Sequence, residues 1–393
     1  MANHEAVIVS ATRTPIGKFQ GAFARTSAPL LGAAAIREAL KRAGVNPGEV
    51  DEVIMGNVLG AGIGQAPARQ ASLYAGVPDS VNAFTVNKVC GSGLKAVVLA
   101  TQSIRLGDAK VVVAGGMENM TLAPYYLEKA RTGYRLGNGQ LVDGMVKDGL
   151  WDVYNNFHMG MTAELVSQKY GLTREAQDDF AKSSYEKAQK AQKEGWFKDE
   201  IVPVEVKDGK AARWIAEDEE PTASDLSKMT ALKPAFTEQG TVTAANASKI
   251  SDGGAAVVVM AAEEARRRGL KPLARVVAYA QGAVEPKWVM MAPVCAVQNL
   301  YRKTGWNNEA IDVFEVNEAF SVQAMAVAQE LKIPKDRLNV HGGAVALGHP
   351  IGCSGARILV TLLSAMQKRQ AKRGLATLCN GGGESVVIVV ERQ

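Results

Sequence analysis

Cysteine and histidine are scarce in this chain, with four of each among 393 residues. No two cysteines form a C-x-x-C pair, and no His and Cys spacing matches a metal-ligand pattern. Neither a disulfide framework nor a bound metal is therefore expected, and the thiols should work reduced, in a cytoplasm. Apolar runs long enough to cross a bilayer are also missing, which excludes a helical membrane protein. The amino terminus, Met1-Ala2-Asn3-His4-Glu5, has no basic signal region, and the end, Glu391-Arg392-Gln393, is not a peroxisomal address. The net charge is only +5, and the longest basic run is Arg266-Arg267-Arg268. So mild an excess gives no nucleic-acid stripe.

What the chain has is glycine, 39 residues, much of it clustered in turns at 341–355 and 381–383. Between the turns, strand-like and helix-like patterns alternate. Ala6–Val9, Val50–Val58 and Phe84–Val89 read as strands, and Leu30–Ala43 and Ser92–Ile104 as helices. Lys110–Ala114 is a continuous apolar strand, the kind covered on both faces. The last 120 residues repeat the plan: Arg275–Ala278 and Ile311–Val316 read as strands, a helix follows Ser354, and Leu375–Leu378 and Ser385–Val390 close the pattern. Cys90-Gly91-Ser92-Gly93 before a helix parallels Cys353-Ser354-Gly355 before another, which predicts an internal duplication of one α/β unit with Cys353 as the mate of Cys90. Residues of roughly 121–248 differ in composition and carry an amphipathic helix from Thr173 to Lys193, with Thr173 as its cap. This segment reads as an insertion over a site built by the two halves.

Three reactive side chains stand in glycine-rich turns. Cys90, in Asn87-Lys88-Val89-Cys90-Gly91-Ser92-Gly93, lies where a strand ends and a helix begins. A thiol there faces unpaired N–H groups and the positive end of a helix dipole, so a thiolate is expected. His349 lies in Gly348-His349-Pro350, and Cys379 in Cys379-Asn380-Gly381-Gly382-Gly383. A nucleophile, a base and a second thiol suit two-step acyl chemistry.

With Phe157-His158-Met159-Gly160, Asn246-Ala247-Ser248 and Asn317-Glu318-Ala319-Phe320, these motifs, in this order, resemble the thiolase superfamily. The resemblance is greatest to its short-chain biosynthetic members and runs from Val7 to the last strand. It implies a duplicated five-layer αβαβα fold with an inserted loop domain. The halves would be 1–120 with 249–270, and 271–393, with the loop domain at 121–248. It implies that Cys90 is acetylated, that His349 takes its proton, and that Cys379 takes the α-proton of a second acetyl-CoA. Asn317 would hold a water that, with His349, serves the thioester oxygen, while the backbone N–H groups of Cys90 and Gly381 would serve the acyl-enzyme oxygen. His158, Met159, Ser248 and Ala319 would contact the pantetheine arm. Acetyl-CoA, acetoacetyl-CoA and coenzyme A are then substrates and products, no resident cofactor is implied, and the assembly would be a homotetramer, a dimer of dimers.

Some residues depart from the family pattern. Asp218-Glu219-Glu220-Pro221-Thr222 stands where relatives often carry an arginine near the adenine, so no nucleotide-binding residue is assigned. Lys249 replaces a usual glycine, His341 a usual asparagine, and Glu384 a smaller neutral residue. Gly60-Ala61-Gly62-Ile63-Gly64 lacks the last glycine of a dinucleotide fingerprint and reads as a turn. Cys295 and Cys353 read as structural, and His4 as solvated. A carrier-protein ketoacyl synthase would lack the second cysteine, and a mere acyl-CoA binder would not need all four of Cys90, Asn317, His349 and Cys379. The alternative within the family is a broader-range 3-ketoacyl-CoA thiolase.

Overall fold

A computed structural model describes residues 4–208 and 211–393. Met1 to Asn3, part of the amino terminus read above for a signal region, lie outside them. The principal strands are β1 (Ala6–Arg13), β2 (Glu52–Gly56), β3 (Asn82–Val86), β4 (Val111–Asn119), β5 (Ser251–Ala261), β6 (Ala274–Ala283), β7 (Val313–Val316), β8 (Arg373–Asn380) and β9 (Glu384–Glu391). The principal helices are α1 (Ala28–Ala43), α2 (Pro67–Tyr74), α3 (Ser92–Leu106), α4 (Met159–Tyr170), α5 (Arg174–Lys193), α6 (Ala292–Thr304), α7 (Ser321–Leu331) and α8 (Ile351–Lys368).

Hydrogen bonding runs β3-β2-β4-β5-β1 through the first half, crosses to β6 through the short antiparallel pairing Val7–Arg275 and Ile8–Ala274, and continues β9-β8-β7. Each half places its strands in the order second, fourth, fifth, first, with β2–β4 and β7–β8 parallel and the rest of each run antiparallel. The third strand beside β7 survives as one parallel bridge, Phe314–Leu338.

The strands lack polar alternation because both faces are covered. Val112 and Ala114 point into a core shared with α3 and α8, which also takes Ala376, Leu378, Val386 and Ile388 from the other half. Val111 and Val113 face the opposite way, onto α1 through Ile36 and Leu40. Phe314, Leu375, Val387 and Val389 pack on α6 and α7 through Val297, Leu300 and Val322. The layers are therefore α, β, α, β, α, with α3 and α8 buried between the two sheet faces. Those two helices meet at glycines. A Cβ on Gly93 would lie 2.7 Å from the Ala356 nitrogen, and one on Gly355 would lie 2.4 Å from the Leu94 nitrogen. This reciprocal contact makes Gly93 the mate of Gly355. Cys353 then corresponds to Gly91, one position away from the expected pairing with Cys90, and it is fully buried.

Between β4 and β5 the chain forms α4, α5 and the hairpin Val204–Asp208 with Ala211–Ile215. Helix α5 starts as its sequence predicts, with Thr173 Oγ1 accepting the Ala176 N–H at 3.2 Å. Among the described residues no helix is long and apolar enough to cross a membrane.

Candidate active site

Loops at the carboxyl ends of β3, β7 and β8 and the loop before α8 bring the reactive groups to one cavity of about 280 Å³. Its lining includes Cys90, His158, Met159, Ser248, Ala319, His349, Cys379 and Gly381. Met120, Leu150, Phe236, Met290 and Ile351 make the rest of the wall mostly apolar. Asn317, next after β7, is buried and packs its amide against the His349 ring, with Nδ2 3.4 Å from Nδ1 and 3.5 Å from Nε2. Among the described residues no cluster of three or more His, Cys, Asp or Glu could hold a metal ion.

The turn that presents Cys90 is strained. Val89 has φ +45°, a left-handed conformation that is costly for a β-branched side chain and persists only where the surroundings enforce it. Ser92 Oγ accepts the Lys88 N–H at 2.8 Å and donates to the Val89 carbonyl at 2.6 Å. Asn87 Oδ1 accepts the Val89 N–H at 3.0 Å. The polar pair Asn87 and Ser92 was the available signal for this turn, which the sequence reading did not identify. The departure at Glu384 is explained by the same turn: its carboxylate pairs with Lys88 Nζ at 2.5 Å.

Burial opposes the thiolate expected from the helix start. Burial in the apolar cavity pushes the Cys90 thiol up to about 12, against hydrogen bonds from the backbone N–H groups of Gly381 and of Cys90 itself, with the Glu118 charge adding to the rise. Cys90 precedes the first turn of α3, and desolvation outweighs the two donors that reach it. Those two donors are the N–H groups that the resemblance assigns to the acyl oxygen. Burial also raises Cys379, with the neighbouring Cys90 second. His349 is driven down to about 3, by burial first and the Arg357 charge second. Burial thus favours the neutral forms of all three groups, two thiols and an imidazole.

His349 is fixed through Nδ1, 2.6 Å from Ser354 Oγ on α8, which leaves Nε2 for the cavity. His158 is fixed the other way. Its Nδ1 accepts the Gly160 N–H at 3.0 Å at the start of α4, so Nε2 carries the proton and can donate. Burial lowers its affinity for a second proton, and its ring stacks on Phe236. The loop carrying Ser248 is tied to the Ala319 loop, Ser248 N to Ala319 O at 3.1 Å.

The acidic run at 218–222 is occupied by the chain itself. Asp218 pairs with the buried Arg13 at 2.7 and 2.9 Å, and Glu219 Oε2 accepts the Lys18 and Ala22 N–H groups at 3.0 and 2.9 Å. His341 is buried against Trp196 and Phe197. His4 contacts Glu263. Gly62 and Gly64 take positive φ in a turn before α2.

Comparison with known proteins agrees with this architecture. Residues 6–263 match the family described as thiolase, N-terminal domain, and residues 270–392 match thiolase, C-terminal domain. An acetyl-CoA acetyltransferase of Cupriavidus necator is 54% identical over 391 residues, covering 99% of this chain and 100% of that protein. One from Escherichia coli is 54% identical over 388 residues and 98% of each chain. The crystal structure of the Bacillus anthracis acetyl-CoA acetyltransferase superposes with a TM-score of 0.98 at 42% identity, over 100% of both chains. The chain belongs to the thiolase family.

Proposed function

We propose that this protein is an acetyl-CoA acetyltransferase, joining two acetyl-CoA to acetoacetyl-CoA and coenzyme A through an acetyl-Cys90 intermediate. The observation that carries this reading is the convergence of Cys90, Cys379 and His349 on one apolar cavity, with two backbone N–H groups aimed at the Cys90 sulfur. The high-identity relatives named above support it.

In the first step Cys90 Sγ attacks the thioester carbonyl as His349 Nε2 takes the thiol proton. The C–S bond to coenzyme A breaks, and the leaving thiolate is protonated from Cys379, while His349 keeps the Cys90 proton. As the acyl group bonds to Cys90, the N–H groups of Cys90 and Gly381 are freed from the thiol to bind the acyl oxygen. Cys379, left as thiolate, then takes an α-proton from a second acetyl-CoA. His349 and a water held by Asn317 stabilise the enolate oxygen. The enolate carbon attacks the acetyl group, a C–C bond forms, and Cys90 leaves as thiolate and regains its proton from His349, while Cys379 keeps the α-proton. Only acyl groups and protons move, so coenzyme A enters as substrate and product and no resident cofactor is required. His158 Nε2–H, Met159, Ser248 and Ala319 line the path we assign to the pantetheine arm.

The same reading includes a division into halves at 1–120 with 249–270 and at 271–393, and a loop domain at 121–248. It also includes a homotetramer, a dimer of dimers. Exposed apolar side chains at Tyr125, Leu136, Leu141, Val153 and Tyr154, and Phe84 on the edge strand β3, support subunit contacts. The reactive cysteines must stay reduced, which suits a cytoplasmic enzyme.

The test is steady-state cleavage of acetoacetyl-CoA and of six- and eight-carbon 3-ketoacyl-CoA, each with free coenzyme A. The bulky wall of Met120, Leu150, Met290 and Phe236 should disfavour the longer chains, because added methylenes clash. Equal kcat/KM across the series would make the protein a broader-range 3-ketoacyl-CoA thiolase.

A further inference from the structure

Among the described residues two arginines, Arg13 and Arg357, are completely buried, and they are treated differently. Arg13 is fully paired: Nε donates to Glu200 at 2.7 Å, Nη1 and Nη2 to Asp218 at 2.7 and 2.9 Å, and Nη1 also to the Thr14 carbonyl at 3.2 Å. Arg357, on α8, has Glu315 only at 3.8 Å, beyond hydrogen-bond reach, and its Nε and Nη1 have no partner among the described residues. Its one hydrogen bond runs from Nη2 to Asn317 Oδ1, at 3.3 Å. Burying a charge is expensive unless its partners are good. A guanidinium kept there mainly for stability would be expected to look like Arg13.

We propose that Arg357 is a positioning residue, whose guanidinium holds the Asn317 amide in the one orientation that turns Nδ2 toward His349 and the cavity. The chemistry of the pair requires this sense. A guanidinium can only donate, so the amide atom facing it must be the oxygen. The NH₂ group is then left on the His349 side, where it can donate to a water whose own hydrogens remain free for an enolate oxygen. Arg357 also places a positive charge near the imidazole, which favours the neutral base. The other titratable groups around His349 are Cys90, Cys379, His158 and Lys249 on the cavity wall, Glu118 of β4, which accepts the Gly352 N–H at the start of α8, and Glu315 behind Arg357. Glu315 is held up to about 8, by burial first, so a neutral residue at 357 does not leave a bare carboxylate behind it.

This inference rests on the role given above to Asn317, and three variants of the full-length enzyme separate the two. Two half-reactions are measured, acetylation of Cys90 by acetyl-CoA (by mass) and exchange of the acetyl-CoA methyl hydrogens with deuterated water. Arg357→Met loses both donor and charge, and its exchange should fall about 100-fold, the scale of a lost oxyanion donor, with acetylation much less affected. Arg357→Gln keeps an NH₂ for Asn317 Oδ1. It should recover most of the exchange at neutral pH, while the acid limb of its pH profile moves upward as His349 protonates more readily. Asn317→Asp leaves Arg357 paired but replaces the donor by an oxygen, and should lose exchange as severely as Asn317→Ala. Wild-type exchange in Asn317→Asp overturns the proposal even if neither Arg357 variant folds. So does exchange in a folded Arg357→Met equal to wild type. If wild-type protein itself neither acetylates Cys90 nor exchanges methyl hydrogens, it is the functional reading that has failed.

Discussion

Ser354 Oγ stands 2.6 Å from His349 Nδ1 and 2.9 Å from the Pro350 carbonyl. A hydroxyl both donates and accepts, so this one group satisfies either imidazole tautomer. With its proton on Pro350 O, Ser354 accepts from Nδ1–H and leaves the Nε2 lone pair free to take the Cys90 proton. With the hydroxyl turned to Nδ1, Nε2 carries the hydrogen and can donate to an enolate oxygen. The Pro350 carbonyl stays bonded in both states, since the N–H groups of Cys353 and Ser354 reach it at 2.9 Å each. The proposed two-step reaction asks His349 for both roles.

Replacing Ser354 by alanine should therefore slow both half-reactions while the fold survives. An unsatisfied buried ring nitrogen costs about 1–3 kcal/mol, or roughly 5- to 150-fold in rate if felt in the transition state. Ser354→Thr keeps the hydroxyl and should stay within about tenfold of wild type. Wild-type kcat in Ser354→Ala would leave the hydroxyl no part in positioning the ring.

The raised Cys90 thiol makes a separate prediction for the free enzyme. Alkylation of Cys90 by iodoacetamide, followed on its peptide by mass spectrometry, should be slow at pH 7. It should keep accelerating past pH 9, since the thiol is pushed up to about 12 by burial. A plateau near pH 7 would mean that a thiolate–imidazolium pair pre-exists, as helix-start reasoning alone suggests.

His341 should leave a mark on stability. Burial lowers it to about 4, with the Lys368 and Arg369 charges adding to the shift. The unfolded chain then binds a proton near pH 6.5 that the folded one refuses, so its contribution is full above that pH and is lost as pH falls toward 4. The loss is limited to about 1.4 kcal/mol per pH unit. Glu118 and Glu315, raised by burial to about 7 and about 8, titrate in the opposite sense, so the whole-protein curve is mixed. The difference between wild type and His341→Gln isolates the histidine. Urea midpoints at pH 7 and pH 5 should fall further for wild type than for the variant; parallel falls would contradict the shift.

Much of this fold is readable from local pattern. The run Val111-Val112-Val113-Ala114 has no polar alternation because α1 covers one face and α3 the other, and Thr173 marks the start of α5 directly. Cys90, His349 and Cys379 could be singled out because reactive side chains in glycine-rich turns are hard to explain as packing. What stayed hidden depends on distant partners. Asp218 departs from the family pattern with no local reason, and its partner is Arg13, 205 residues away. Glu384 has its reason in Lys88, 296 residues away. Ser354 and Arg357 read as ordinary positions of a helix, since nothing local says that one faces His349 and the other Asn317. The burial that raises the Cys90 thiol is not legible either, because desolvation is a tertiary property, whereas a helix start is a local one.

The two active-site thiols should separate by step. Cys379 is proposed to move protons and Cys90 to carry the acetyl group, although both open on the same cavity and both are raised by burial. Two hydrogen bonds distinguish them. Cys90 receives N–H groups from Gly381 and from itself, placed to serve an acyl oxygen once the sulfur is esterified, whereas Cys379 receives only its own. Cys379→Ser should accordingly still take an acetyl group onto Cys90 from acetyl-CoA, more slowly if Cys379 also protonates the departing thiolate. It should largely fail to exchange acetyl-CoA methyl hydrogens with deuterated water and fail to form acetoacetyl-CoA. A serine hydroxyl is far harder to ionise than a thiol, and enolate formation needs that ionised base. Cys90→Ser should lose the acetyl adduct and, because Cys379 becomes a thiolate only as it protonates the departing coenzyme A, the exchange and the overall reaction with it. Exchange at the wild-type rate in Cys379→Ser would assign the α-proton to another base, with His349 next in line by position. An acetyl label on the Cys379 peptide of the wild-type enzyme would interchange the two roles.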